Sequence, residues 1–163
     1  MAGALAWIDG GSRGNPGEAG AGVVLDVGDG RLESHTLYLG HATNNEAEYA
    51  ALLAALERLA ALGVAEVVIF SDSELLVHQM NGIYKVKAAN LQPLWSAAQQ
   101  LAGSFRHFSI RHIPRLANAE ADRLANEAMN SRRSTLPAPP LFQALRSSRS
   151  RSHKARRFGR GWR

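Results

Sequence analysis

Apolar residues fall first into short runs and then into helical spacing, which predicts a strand-rich start followed by alternating helices and strands. Leu5 to Gly10 reads as a short strand, and Ala19 to Asp26 and Leu32 to Leu39 as two more. The Gly28-Asp29-Gly30 turn joins the latter pair into a hairpin, so the first three elements are antiparallel neighbours. From Asn45 to Leu62 the chain is rich in Ala, Leu and Glu, with a stripe at Leu52, Leu56 and Leu59 and a stop at Gly63. This is the longest predicted helix.

Val67-Val68-Ile69-Phe70 is a continuous apolar run between Glu66 and Ser71, as expected of a strand buried on both faces. Strand, long helix and buried strand together make a parallel crossover. Ser73 to Asn81 and Leu91 to Leu101 read as shorter helices, the second with Pro93 in its first turn, and Tyr84-Lys85-Val86-Lys87 lies between them. Phe105 to His112 alternates as a last strand, and Pro114 to Asn118 loops into a helix from Ala119 to Met129. Beyond it, Pro137, Pro139 and Pro140 break regular structure, and Leu141 to Leu145 offers one docked helical turn before an Arg/Ser-rich end.

Composition divides the chain. The 163 residues suit one domain with an extension, read as a body at 1–130 and a largely disordered basic tail at 131–163. The overall +5 conceals nine Lys and Arg against all 14 acids in the body, and ten cations with no acid in the tail. Such asymmetry points to an interaction tail for a polyanion, nucleic acid being the expected one, or to a solubilising disordered end. No apolar run approaches the roughly 20 residues of a membrane span, and the start lacks the basic residues of a signal peptide, so a cytoplasmic location is expected. The absence of cysteine excludes disulfides and thiolate metal sites, leaving oxygen or imidazole ligands.

Four acids then stand out. Asp9 ends the first strand, Asp72 follows the buried one, Glu48 begins the stripe of the longest helix, and Asp122 adjoins the stripe of Ala125 and Met129. Each alone reads as a cap, a turn residue or a salt-bridge partner. Together they suggest one shared cation site, because buried carboxylates are unfavourable unless paired or metal-bound. With no thiols the favoured ions are hard ones, Mg²⁺ or Mn²⁺. Two ions about 3.5–4 Å apart would activate water and stabilise a leaving oxygen in phosphodiester cleavage, which is a nuclease-type site. The Gly10 to Gly17 segment lacks the Lys-Ser/Thr ending of a P-loop.

The segments Asp9-Gly10-Gly11-Ser12-Arg13-Gly14-Asn15-Pro16-Gly17, Thr43-Asn44-Asn45-Glu46-Ala47-Glu48-Tyr49, Ser71-Asp72-Ser73 and Asn118-Ala119-Glu120-Ala121-Asp122-Arg123-Leu124-Ala125 resemble, in order and spacing, the motifs of ribonuclease HI. The resemblance spans about residues 4–130. It implies an α/β fold: a five-stranded mixed sheet, with three antiparallel strands and two parallel crossovers, flanked by helices on both faces. It also implies hydrolysis of the RNA strand of an RNA/DNA hybrid to 5′-phosphate and 3′-hydroxyl ends. Asp9 would bridge two metals, Glu48 would hold one and contact a ribose 2′-hydroxyl, Asp72 would orient the attacking water, and Asp122 would hold the metal nearer that water.

By the same resemblance Asn15, Thr43, Asn44 and Asn45 match positions that contact the hybrid's backbone and minor groove, with Thr43 or Asn45 also available as the helix N-cap. His112 stands ten residues before Asp122, where relatives often place a histidine that assists proton transfer or product departure; a histidine closing a strand also has a purely structural reading. Arg115 is a rival candidate for a phosphate contact. Some relatives carry an extra helix and a basic protrusion between the two short helices, and this chain has no room for them. Lys85 and Lys87, with Tyr84, offer a small substitute patch or are two solvated lysines, and the tail's ten cations could supply further grip. The expected partner is thus an RNA/DNA hybrid met by a monomer away from membranes. The competing class is a catalytically weak hybrid- or RNA-binding module that relies on its basic tail.

Overall fold

The computed structural model describes residues 3–144. Strands β1 (Gly3–Gly14), β2 (Gly17–Asp26) and β3 (Leu32–Ala42) form an antiparallel meander. β4 (Glu66–Ser71) joins β1 in parallel and β5 (His107–His112) joins β4 in parallel, giving the order β3-β2-β1-β4-β5. The expected five-stranded mixed sheet is therefore the observed one. Among the described residues four helices of two or more turns flank it: α1 (Asn44–Ala61), α2 (Glu74–Met80), α3 (Gln92–Gly103) and α4 (Ala119–Ser131).

Element ends differ from the apolar pattern where pairing continues through polar residues. β1 and β2 stay paired as far as Gly14 and Gly17, through Ser12 and Arg13, because a ladder needs backbone partners and not apolar side chains. β5 starts at His107 and not Phe105, since Arg106 and His107 both donate to the carbonyl of Ala65 as the chain turns into the sheet.

Most of the core lies on one face, where Ile8, Leu25, Leu37 and Ile69 pack with α1. α1 is buried through its middle on nearly every side, its alanines serving the sheet and α3 at once, so it carries more than the expected single stripe. α4 covers the opposite face over β2, β3 and β1. It does not extend over β4, which corrects the expectation of a strand buried on both faces: Val67 and Ile69 are buried, whereas Val68 and Phe70 are half-buried, Phe70 stacked on Trp7 with ring centroids 5.3 Å apart.

Packing does not stop at residue 130. After Arg132 turns in the left-handed region, Thr135 N–H donates to the Thr36 carbonyl at 2.8 Å, and the hydroxyls of Thr135 and Ser134 accept from the Thr36 and Tyr38 N–H groups at 2.9 and 2.8 Å. These bonds cover the open edge of β3, which is otherwise a row of unpaired groups. Residues 140–144 then form a helical turn that buries Phe142 in the main core. The docked turn expected at Leu141 to Leu145 is thus present as far as residue 144, Leu145 lying outside the described residues, whereas a body ending at 130 omits the packed strap, whose polar composition conceals its two edge partners. Residues 145–163, with eight of the ten tail cations, lie outside the described residues. Among the described residues no helix is long and apolar enough to cross a membrane.

Candidate metal centre

Asp9 lies near the end of β1, and its side chain projects to the face that α4 covers. The next residue admits α1: a Cβ on Gly10 would fall 2.3 Å from the Ala47 carbonyl, so only a glycine lets helix and strand approach this closely. Gly10 N–H donates to Glu48 Oε1 at 3.2 Å, which draws the Glu48 side chain over the strand end. α1 begins nearby because Thr43 and Glu46 form a capping box, Thr43 Oγ1 accepting from Glu46 N–H and Glu46 Oε1 from Thr43 N–H.

Asp72 is held between two serines. Buried Ser71 accepts from Ser73 N–H at 3.0 Å, and Ser73 caps α2 by accepting from Leu76 N–H at 3.2 Å. Asp122 arrives from the opposite side. A Cβ on Gly22 would meet the Ala121 carbonyl oxygen at 2.2 Å and one on Gly20 the Ala125 carbonyl oxygen at 2.9 Å, so these glycines let α4 lie directly on β2. At the start of α4, buried Asn118 donates from Nδ2 to the Ile8 carbonyl at 2.8 Å.

These devices bring one oxygen each of Asp9, Glu48 and Asp72 within 4.8 Å of one another. Asp122 lines the same cavity, of about 460 Å³, and Arg115 Nη2 stands 4.0 Å from its Oδ1. Asp9 and Glu48 are each only 8% exposed. Burial first, then the Asp72 charge and the contact with Asp122, push the Asp9 carboxyl from 3.8 up to about 7. Burial, followed by the Asp9 charge, raises Glu48 well above the usual carboxylate range against the Gly10 hydrogen bond. Glu48 Oε2 is buried without a hydrogen-bond partner among the described residues. Oxygen-only donors, a shared focus and an orphaned lone pair fit a hard divalent cation, which would replace the missing partner and reverse the repulsion.

The other expected site residues divide. Asn44 and Asn45 line the cavity. Asn44 Oδ1 accepts from Ser12 N–H at 2.8 Å and Asn15 Oδ1 from Asn44 N–H at 3.1 Å, so this pair stitches the β1–β2 turn to the start of α1. Thr43, and not Asn45, is the N-cap. Arg115 reaches the cavity from a 3-10 turn at Arg115–Asn118. His112 is exposed at the end of β5 and outside the cavity lining, as are Lys85 and Lys87 on the loop between α2 and α3. Sequence reasoning missed Arg13, a second cation on the cavity wall, and the link from Asn118. Arg13 sits in plain view beside the glycines, whereas nothing local marks the Asn118 link.

A family profile described as reverse transcriptase-like matches residues 8–128. A bifunctional protein of Mycobacterium tuberculosis is 46% identical over 125 residues, 76% of this chain and 34% of that protein, so the chain spans about a third of that relative's length. Ribonuclease HI of Halobacterium salinarum is 43% identical over 126 residues, 77% of this chain and 63% of that protein. The crystal structure of RNase H1 from the same archaeon has a TM-score of 0.76 at 42% identity, covering 79% of this chain and 98% of that one. LC11-RNase H1, solved in complex with an RNA/DNA hybrid, has a TM-score of 0.73 at 41% identity, covering 78% of this chain and 97% of that one.

Proposed function

Since the chain belongs to the ribonuclease HI family, we propose that it is an endoribonuclease that hydrolyses the RNA strand of RNA/DNA hybrids and uses Mg²⁺. The observation that carries this reading is the meeting of Asp9, Glu48 and Asp72 oxygens within 4.8 Å, with Asp122 on the same cavity wall. Divalent ions in such sites neutralise phosphate charge and activate water for phosphodiester cleavage.

The residues divide the work by position. Asp9, Glu48 and Asp72 would hold one ion, and Asp9 with Asp122 a second; Mn²⁺ would serve in place of Mg²⁺, because both prefer oxygen ligands. Arg13 and Arg115 flank the acids and would take backbone phosphates on either side of the scissile bond. Asn44 already spends its carbonyl on Ser12, which leaves its amide and the side chain of Asn45 to face the minor groove. There a 2′-hydroxyl distinguishes the RNA strand from DNA. The basic residues beyond 144 would add contacts to the backbone.

Labelled RNA/DNA hybrid, RNA duplex and DNA duplex, each incubated with the full chain in Mg²⁺, in Mn²⁺ and in chelator, test the reading. Cleavage confined to the RNA strand of the hybrid, metal-dependent and leaving 5′-phosphates, is the expected result. A folded sample that leaves the hybrid intact in both metals refutes it.

A further inference from the structure

At the N-terminus of a helix an asparagine side chain ordinarily accepts from a backbone N–H of the first turn. Asn118 occupies that position in α4 and makes no such bond. It is 1% exposed, its Nδ2 donates to the Ile8 carbonyl at 2.8 Å, and its Oδ1 has no partner among the described residues. A buried amide that forgoes the cap and leaves an oxygen unsatisfied is locally unfavourable, and the bond it does make crosses from helix to strand.

Ile8 directly precedes Asp9, and Asp122 lies about one helical turn beyond Asn118. We propose that Asn118 is a positioning residue for the cation site. Its bond to Ile8 sets where the start of α4 lies along β1, and so how the Asp122 carboxylate meets that of Asp9. Gly20 and Gly22 fix how closely α4 approaches the sheet, but a smooth glycine surface offers no stop against sliding along the strand. Asn118 supplies that stop. This role rests on the divalent-cation reading given above.

The test titrates Mg²⁺ into the metal-free, full-length protein by calorimetry, alongside the Mg²⁺-induced rise in melting temperature. The proteins compared are the unmutated chain, Asn118→Ala, Asn118→Ser and Leu124→Ala. Serine is too short to reach Ile8 yet is a good helix cap, so it separates the link from capping and remains readable should the alanine variant not fold. Leu124→Ala loosens the same helix at a buried position without touching the link. Both Asn118 variants are expected to weaken Mg²⁺ binding about 10–100-fold, and Leu124→Ala by less than about threefold at a temperature where all are folded. Mg²⁺ affinity unchanged in Asn118→Ser, or reduced as much by Leu124→Ala as by Asn118→Ala, overturns the positioning role and leaves the cation site standing. An unmutated chain that binds no Mg²⁺ and cuts no hybrid overturns both.

Discussion

Replacing Asp9 by Asn should stabilise the metal-free protein while abolishing its cleavage of hybrid. The Asp9 carboxyl sits at about 7 against an ordinary 3.8, because burial and the neighbouring Asp72 and Asp122 penalise its charge. A raised acid favours the folded state while it is protonated, so its contribution is complete below about pH 4 and is lost as pH rises through 7. The shift of about three units corresponds to at most about 4 kcal/mol, and because the clustered acids share protons we expect about 2–4 kcal/mol for the variant at pH 8. That is a rise in melting temperature of roughly 5–10 °C for a domain of this size. The assay is thermal denaturation in chelator at several pH values from 5 to 8. The parent should lose stability across this range and Asp9→Asn should lose less. Glu33, held at about 2 by Arg58 and His35, has its contribution in place above about pH 4.5 and does not confuse the window. Adding Mg²⁺ should stabilise the parent and leave the variant unmoved. A variant that melts at or below the parent at pH 8 without metal would refute the view that repulsion is stored in the empty cluster.

Four further outcomes follow from the packing and from the charges around the cavity. Deletion after Asn130 removes Thr135 and Phe142 and should lower stability by several kcal/mol, since loss of a buried Phe alone costs about 3–5 kcal/mol; deletion after Ala144, which spares both, should flatten the salt dependence of hybrid binding, measured by titration at several salt concentrations. Gly22→Ala should displace α4, lowering the melting temperature and cutting hybrid cleavage more than about tenfold, because its Cβ would lie 2.2 Å from the Ala121 carbonyl oxygen; wild-type turnover would show that α4 can retreat without moving Asp122. Arg115→Ala should raise the KM for hybrid with a smaller change in kcat, a pattern read from steady-state kinetics, as expected of a phosphate contact and not of a metal ligand.

Much of the site was legible because an acid interrupts an apolar pattern visibly. Asp9 after Trp7-Ile8, Asp72 after the Val67–Phe70 run and Glu48 at the head of Leu52-Leu56-Leu59 each break a periodicity that predicts its own surroundings. What places these acids together was not legible, because it depends on contacts across long separations. Gly10, Gly20 and Gly22 read as ordinary strand glycines until the helices lying on them are known. Ser134 and Thr135 read as tail until the open edge of β3 is seen beside them, and Asn118 reads as the end of a loop until its amide is found on Ile8. The strand ends were missed for a related reason: Ser12 and Arg13 continue β1 by backbone pairing, to which hydrophobicity is blind.

The charge distribution has a consequence of its own. Four acids line the cavity, two arginines stand at its exposed walls, and the packed residues 3–144 carry a formal −3. A polyanion approaching the metal-free protein therefore meets net repulsion at the point where it must bind. Two divalent ions would bring these residues to a formal charge of about +1. On the proposed function, the electrostatic effect that would favour ions in the cavity would also favour phosphate beside them, so ion and hybrid would each tighten the binding of the other, by the same factor. Hybrid affinity measured against Mg²⁺ concentration should rise steeply and then level off. The same titration on Asp9→Asn, where one site charge and its share of the ions are gone, should be nearly flat. Equal steepness in both proteins would place the metal dependence on the nucleic acid and not on the carboxylate cluster.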